Sequence, residues 1–446
     1  MLRRLRGKAF APMKRAMARK PAPEFHKLTV RQRLALNPLA RVGPGLITGV
    51  ADDDPSGIAT YSQAGAQFGL DMLWTMPVAY PLMSAVQSMC GRLGRVTGKG
   101  LSANIKTQFP PVVLRVLVLL LLIANTLNIA ADIAAMGEAS ELVTHIDRHV
   151  GTVLFVVLTL LLQILVPYHR YVRFLKWLTL ALFAYALVLV TIHVPWGQVL
   201  RHTVWPHFKV NAAAATMIVA IFGTTISPYL FFWQASEEVE DLGDAPPLIK
   251  DGKAAPAELR RIAWDTWSGM LFSNVTAYLI ILATGLTLAT AGVTQIDTAA
   301  QAASALKPLA GNFAALLFTL GILGVGLIGV PVLAGSGGYA MAEMMGWKQG
   351  LERKATDARG FYGVIAVSVL AALVIQYSPI NPMRALFWSA VINGVVAVPL
   401  LVVLILLVSN RKVMGDFTAR APIRWLGWAT VAVMAAAAGA MAVPLF

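Results

Sequence analysis

Two short stretches of the chain combine carboxylates, hydroxyls and proline: Asp52-Asp53-Asp54-Pro55-Ser56-Gly57 and, further on, Gly223-Thr224-Thr225-Ile226-Ser227-Pro228-Tyr229. Proline removes a backbone donor and clashes with the preceding turn, so a helix carrying either stretch should unwind there, at residues 54–57 and 224–228, and free its carbonyls. Asp54 then offers a carboxylate, Ser56, Thr224, Thr225 and Ser227 offer hydroxyls, and the turns around Ala51 and Thr224 offer carbonyls. All are hard oxygen donors, suited to Mg²⁺, Mn²⁺ or Ca²⁺, and neither stretch holds the Cys, His or Met that softer metals prefer. The expected ion-binding set is Asp54, Ser227, Ala51, Thr224, Gly57 and Asp53. Asp52 and Asp53 fall on other helix faces than Asp54. There they line an outer vestibule or a second ion site, or pair with a basic residue elsewhere.

The elements that must position these groups are membrane helices. With 57% hydrophobic and 13% charged residues and a mean hydropathy of +0.67, the chain cannot be a soluble domain. Apolar stretches long enough to cross about 30 Å of hydrocarbon recur near residues 43–66, 70–90, 113–137, 151–168, 172–194, 212–236, 263–291, 311–345, 361–377, 384–408 and 424–444. Runs such as residues 112–131 are apolar on every face, which excludes the alternating pattern of a β-barrel. The single cysteine, Cys90, excludes an internal disulfide and a cysteine-built zinc cluster.

The net charge of +15 follows the positive-inside rule and implies no nucleic acid partner. If odd-numbered spans run outward, all but Arg148, Arg201, Lys209, Lys307 and Arg384 of the 37 basic residues lie on the inner side. The sequence thus predicts a multi-pass protein of a bacterial inner membrane with a cytoplasmic N-terminus and an outer C-terminus. Residues 1–42 form a basic tail with no signal-peptide core, suited to anionic lipid.

The first span carries its three aspartates at mid-depth. At roughly 2.5–3.5 kcal/mol per central acidic residue, they would cost more than about 7 kcal/mol unless they faced water, a cation or each other. They must line an interior cavity. The proline break returns five spans later, and paired interrupted helices in corresponding positions of two halves point to inverted repeats with a midplane site. The expected organisation is a first five-helix repeat over 43–194, a second over 195–409 and an eleventh helix within 410–446.

Gly43-Pro44-Gly45, Asp54-Pro55, Gln63-Ala64-Gly65-Ala66-Gln67-Phe68-Gly69, Gln87, Arg92-Leu93-Gly94 and Val96-Thr97-Gly98-Lys99 together resemble the first two helices of the natural resistance-associated macrophage protein (NRAMP) metal transporters. The resemblance is strongest over residues 43–100 and continues to Arg411-Lys412-Val413-Met414-Gly415. It implies an all-α leucine-transporter-type fold and proton-linked uptake of Mn²⁺, Fe²⁺ and similar ions, with the metal as cargo and no resident cofactor. The departures are specific. Where the family carries Asp-Pro-Gly-Asn this chain has Asp54-Pro55-Ser56-Gly57, and Met-Pro-His is replaced by Ser227-Pro228-Tyr229. A second family histidine corresponds to Gln234, and the third helix keeps Asp132 but has Ala135 where an acid is usual. Asp132, Tyr229 and Gln234 therefore stand on the presumed proton route, with titratable groups removed at two of them, while Glu237, at the inner end of the sixth helix, reads either as a solvated helix end or, with Glu238 as the other candidate, as part of the ion's exit path. The pattern is similar to the NRAMP-related magnesium transporters, so Mg²⁺ and Mn²⁺ are the expected cargo.

Other signals carry less. His145 and His149 flank Asp147 in an external loop, where solvated histidines are the ordinary case. Gly94-Arg95-Val96-Thr97-Gly98-Lys99 lacks the leading glycine and trailing hydroxyl of a phosphate-binding loop. No paired catalytic residues sit at matching depth on unbroken helices, so the chain is not expected to be an enzyme. The rival reading is a transporter of a small cationic or amino-acid-like organic solute on the same fold. The expected partners are divalent metal ions and the lipid bilayer, and nothing implies an oligomer.

Overall fold

Backbone groups in hydrocarbon must pair within their own segment, and all regular structure among the described residues is helical. The computed structural model describes residues 44–166, 178–207, 211–243, 245–351, 353–376 and 381–442. The basic tail expected over residues 1–42, and residues 167–177 of the expected fourth and fifth spans, lie outside the described residues.

The first span is built from α1 (Pro44–Asp52) and α2 (Pro55–Phe68), the second from α3 (Thr75–Thr97). A short connector, α4 (Leu101–Gln108), leads to α5 (Pro111–Thr144) and α6 (Arg148–Leu165). The described part of the fifth span is a 3₁₀ turn, Leu178–Phe183, and α7 (Ala184–Thr191). After α8 (Trp196–Val204) come α9 (Ala212–Thr225) and α10 (Pro228–Leu242), the two halves of the sixth span. The seventh is α11 (Ala255–Thr287), followed by the connectors α12 (Ala299–Ser304) and α13 (Lys307–Ala310). The chain closes with α14 (Ala314–Met345), α15 (Arg359–Gln376), α16 (Pro382–Ser409), the turn α17 (Arg411–Met414) and α18 (Ala421–Ala442).

Seven of these segments are long and apolar enough to cross a bilayer: those of α5, α6, α9 with α10, α11, α14, α16 and α18. The outer faces are apolar too. Val112, Val116, Leu119 and Ile123 form one exposed stripe on α5, and Leu154, Val157, Leu161 and Leu165 another on α6. In water such stripes would be a defect; against lipid they are the ordinary surface.

Both expected interruptions are present, but their bounds differ from those expected. Unwinding expected at residues 54–57 falls on residues 53 and 54, and that expected at 224–228 falls on residues 226 and 227. Pro55 and Pro228 instead open the second half-helices at the first helical position. There a missing N–H costs nothing, because that group has no intrahelical partner in any case. Proline alone does not break these helices, since Pro81, Pro331 and Pro399 lie inside α3, α14 and α16. What distinguishes the breaks is a residue of capping type in the N-cap position directly before the proline, although only Asp54 makes the side-chain cap bond. Asp54 (φ −66°, ψ 171°) and Ser227 (φ −75°, ψ 133°) take extended backbone angles, the geometry preferred both before proline and at an N-cap.

The halves are held by close backbone contacts. α1 and α2 pack on α11, α9 packs on α16, α10 on α3 and α14, and α5 on α14. A Cβ at Gly49 would lie 2.2 Å from the Gly269 carbonyl oxygen, and one at Gly223 2.0 Å from that of Ala390. Only glycine lets these helix axes approach so nearly.

Candidate functional site

The break in the first span places Asp54 at the mouth of α2, where it is 1% exposed. Its Oδ1 caps the helix by accepting from the Gly57 N–H at 2.8 Å. Its Oδ2 accepts from Asn128 Nδ2 on α5 at 3.0 Å and from the Tyr229 hydroxyl on α10 at 3.2 Å. The same hydroxyl lies 3.3 Å from the Ala51 carbonyl oxygen at the end of α1. The carboxylate and the freed carbonyl thus converge on one phenol across the two broken helices. Gly329 of α14 backs the site, where an added Cβ would come within 3.1 Å of Asp54 Cβ.

The second break lies opposite. Ser227 Oγ turns back on α9, 2.8 Å from the Gly223 carbonyl and 2.7 Å from that of Thr224. Its one hydrogen is thereby spent on the helix, and its lone pairs remain as acceptors. Thr224 Oγ1 stands 3.2 Å from where a Cβ on Gly57 would project, so Gly57 and Thr224 face each other across the junction. Asp54, Ala51, Gly57, Thr224 and Ser227 all lie at the two breaks. Among the described residues no three His, Cys, Asp or Glu side chains gather as a metal site. The oxygens that the Tyr229 hydroxyl brings together are the Asp54 carboxylate and the Ala51 carbonyl.

Asp53 and Asp52 turn elsewhere. Ser273 Oγ on α11 lies 2.6 Å from Asp52 Oδ2 and 3.0 Å from Asp53 Oδ1, and neither carboxylate meets a basic residue among the described ion pairs. The four residues expected on a proton and exit route separate. Asp132 joins the site through Asn128, whose Nδ2 is 3.1 Å from Asp132 Oδ2. Tyr229 touches the ligand set itself. Gln234 is one step removed, its Oε1 2.5 Å from the Thr48 hydroxyl on α1. Glu237 accepts from the Tyr339 hydroxyl at 3.3 Å, on the far end of α10.

Sequence reasoning missed Asn128, Asn393 and Ser273. Asn393 Nδ2 on α16 donates to Asn128 Oδ1 at 3.2 Å, which fixes the amide so that its Nδ2 faces Asp54. The signal was present, since Asn128 precedes Asp132 by one helical turn in a largely apolar span.

Below the site, α1 is tied to α10 and α11. Besides the Thr48–Gln234 contact, Asp265 Oδ2 of α11 accepts from the Gly45 N–H at 2.7 Å and caps the first turn of α1. On the α2 side a cavity of about 380 Å³ is lined by Ala59, Gln63, Thr216, Asp297, Arg384 and Phe387. Arg384 Nε lies 3.0 Å from Asp297 Oδ1 at this mouth.

The chain is similar to two proteins named divalent metal cation transporter MntH. That of Klebsiella pneumoniae subsp. pneumoniae is 26% identical over 403 residues, 89% of this chain and 92% of the relative. That of Acidiphilium cryptum is 28% identical over 406 residues, 86% of each. The fold matches the crystal structure of the Eremococcus coleocola manganese transporter with a TM-score of 0.71 at 18% identity, covering 94% of this chain and 87% of that one. It matches Mhp1, a nucleobase-cation-symport-1 family transporter, with a TM-score of 0.51 at 14% identity, covering 90% and 92%. The fold is the leucine-transporter type expected from the sequence, two inverted five-helix repeats with an eleventh helix. Residues 45–444 match the natural resistance-associated macrophage protein-like family, and the chain belongs to that family.

Proposed function

We propose that the chain is a secondary transporter of divalent metal cations, Mg²⁺ and/or Mn²⁺, which binds its ion between the two broken helices and works by alternating access. The observation that carries this reading is the donor set: one buried carboxylate, Asp54, facing a freed carbonyl and hydroxyls, with no sulfur or imidazole. Mg²⁺ dehydrates reluctantly and is held through one or two carboxylates with several waters kept. Ser227 and Gly57, small where the family carries Met and Asn, leave room for those waters. The names of the MntH relatives support the cation class.

In this mechanism the ion enters from the α2 side and displaces the Tyr229 hydroxyl from Asp54 and the Ala51 carbonyl. Release toward the other side requires α1 to part from α10 and α11, breaking the Thr48–Gln234 and Gly45–Asp265 contacts. The charge asymmetry places the α1 side in the cytoplasm of a bacterial inner membrane, with the C-terminus outside. Proton coupling is weak or absent, because Tyr229, Gln234 and Ala135 stand where the family carries titratable groups.

The test is ion flux in proteoliposomes with Mg²⁺, Mn²⁺, Ca²⁺ and Cd²⁺, for the native protein and for Ser227→Met. The expected result is Mg²⁺ uptake competed by Mn²⁺, with Ser227→Met shifting preference toward Mn²⁺ and Cd²⁺ because it adds a soft ligand and fills the hydration space. Uptake of Cd²⁺ and Mn²⁺ with no Mg²⁺ flux or competition in the native protein would overturn the selectivity.

A further inference from the structure

A second cavity, of about 670 Å³, lies far from the ion site, between α3, α11 and the start of α18. The positive-inside reading of the sequence places its lining arginines on the cytoplasmic side. Its walls are largely apolar, with Met89, Leu259 and Ile423 among them, yet three arginines line it: Arg92, Arg260 and Arg420.

These arginines are distinct from their neighbours. Arg95, one turn from Arg92, pairs with Glu258 at 2.9 Å, and Arg261, beside Arg260, pairs with the buried Glu238 at 2.6 Å. Glu258 and Glu238 are thus occupied, and among the described residues none of the three lining arginines has a carboxylate within ion-pair distance. Arg92 spends its Nε on the Phe417 carbonyl at 2.8 Å, which orients the guanidinium, and it lies close enough to Arg420 for the two to repel. A cluster of like charges beside an apolar groove calls for an anion with an apolar body.

The exposed tryptophans give the groove its depth. Trp264 on α11 and Trp425 on α18 are each 74% exposed, and Trp428, also on α18, is exposed. Tryptophan concentrates at the membrane–water interface. Trp264 follows Arg260, and Trp425 follows Arg420, by about one helical turn. The arginines therefore sit at headgroup level, with the apolar walls reaching toward the acyl chains.

We propose that this groove binds an anionic phospholipid, with its phosphodiester on Arg92, Arg260 and Arg420 and an acyl chain along Leu259 and Ile423. The occupant is a lipid of the leaflet on the basic side, which bridges α3, α11 and α18. Since α11 also carries Asp265 and Ser273, the lipid anchors the helix against which α1 closes.

The test is lipid binding to delipidated protein in detergent, read by native mass spectrometry with phosphatidylglycerol and phosphatidylcholine as probes. Arg260→Gln/Arg420→Gln leaves the Arg92–Phe417 bond intact. At roughly fivefold per basic residue near an anionic surface, it should weaken phosphatidylglycerol binding by roughly thirtyfold. Arg411→Gln/Lys412→Gln, on exposed residues of the same end, should leave binding unchanged. Leu259→Trp fills the groove without altering charge and should also evict the lipid, so the proposal stays testable if the arginine variant misfolds. Equal native affinity for the two lipids, equal losses in the Arg411/Lys412 control, or displacement by inorganic phosphate alone would overturn it.

Discussion

Replacing Asp54 by Asn separates binding from folding in a way that replacing it by Ala cannot. Asp54 takes three hydrogen bonds, from the Gly57 N–H at 2.8 Å, Asn128 Nδ2 at 3.0 Å and the Tyr229 hydroxyl at 3.2 Å. Asp54→Ala removes a helix cap worth about 1 kcal/mol and strands two buried donors at about 1–3 kcal/mol each, for a total of roughly 3–7 kcal/mol of stability. Loss of transport in that variant would say little about the ion. Asn caps as well as Asp does, and the Tyr229 hydroxyl can reverse its role toward an amide, so Asp54→Asn should cost about 1–2 kcal/mol. Its effect on the ion is larger. A divalent ion that keeps its waters, about 4 Å from the carboxylate, is attracted by about 8 kcal/mol at an effective dielectric of about 20. With three quarters of that offset by desolvation, about 2 kcal/mol remains, a loss of roughly thirtyfold in affinity. The assay is Mg²⁺ and Mn²⁺ titration of the purified protein and flux in proteoliposomes, with the unfolding temperature measured alongside. A folded Asp54→Asn that binds and transports both ions as the native protein does would refute the reasoning.

Three further outcomes are expected. Asp265→Ala removes the acceptor for the Gly45 N–H, a cap worth about 1 kcal/mol, and should raise the α1-open population roughly fivefold, whereas Asp265→Asn should not. Labelling of a cysteine placed at Ala51 in a Cys90→Ser background reads this directly, and equal labelling in the two variants would remove the gate. Gly223→Ala drives a Cβ to 2.0 Å from the Ala390 carbonyl and should lower the unfolding temperature, while Gly363→Ala, whose Cβ meets nothing within 4 Å, should leave it unchanged. The native protein should show little metal-driven acidification of proteoliposomes, and strong acidification that disappears in Asp132→Asn would contradict the assignment of weak coupling.

The membrane helices and the two breaks were legible because apolar length and mid-span proline are local signals. Their bounds were not, since the same proline opens a helix after Asp54 or Ser227 and lies within one after Tyr80, Val330 or Val398. The capping residue before the proline was the informative feature. Asp54 could be singled out from the cost of a buried carboxylate, but its partners could not, because Asn128 and Tyr229 lie 74 and 175 residues away in the chain. For the same reason the sequence left Asp52 and Asp53 open, and only packing brings Ser273 to both. Tyr229 is placed on a proton route by analogy with a histidine, and no local signal announces that its hydroxyl reaches Asp54 and the Ala51 carbonyl.

The most direct test is anomalous scattering from crystals of the protein grown with Mn²⁺. The account predicts one peak between Asp54, the Ala51 carbonyl and Ser227, suppressed by excess Mg²⁺ and missing in Asp54→Asn. A peak at Asp52, Asp53 and Ser273 that survives Asp54→Asn, or no peak between the breaks, would contradict it.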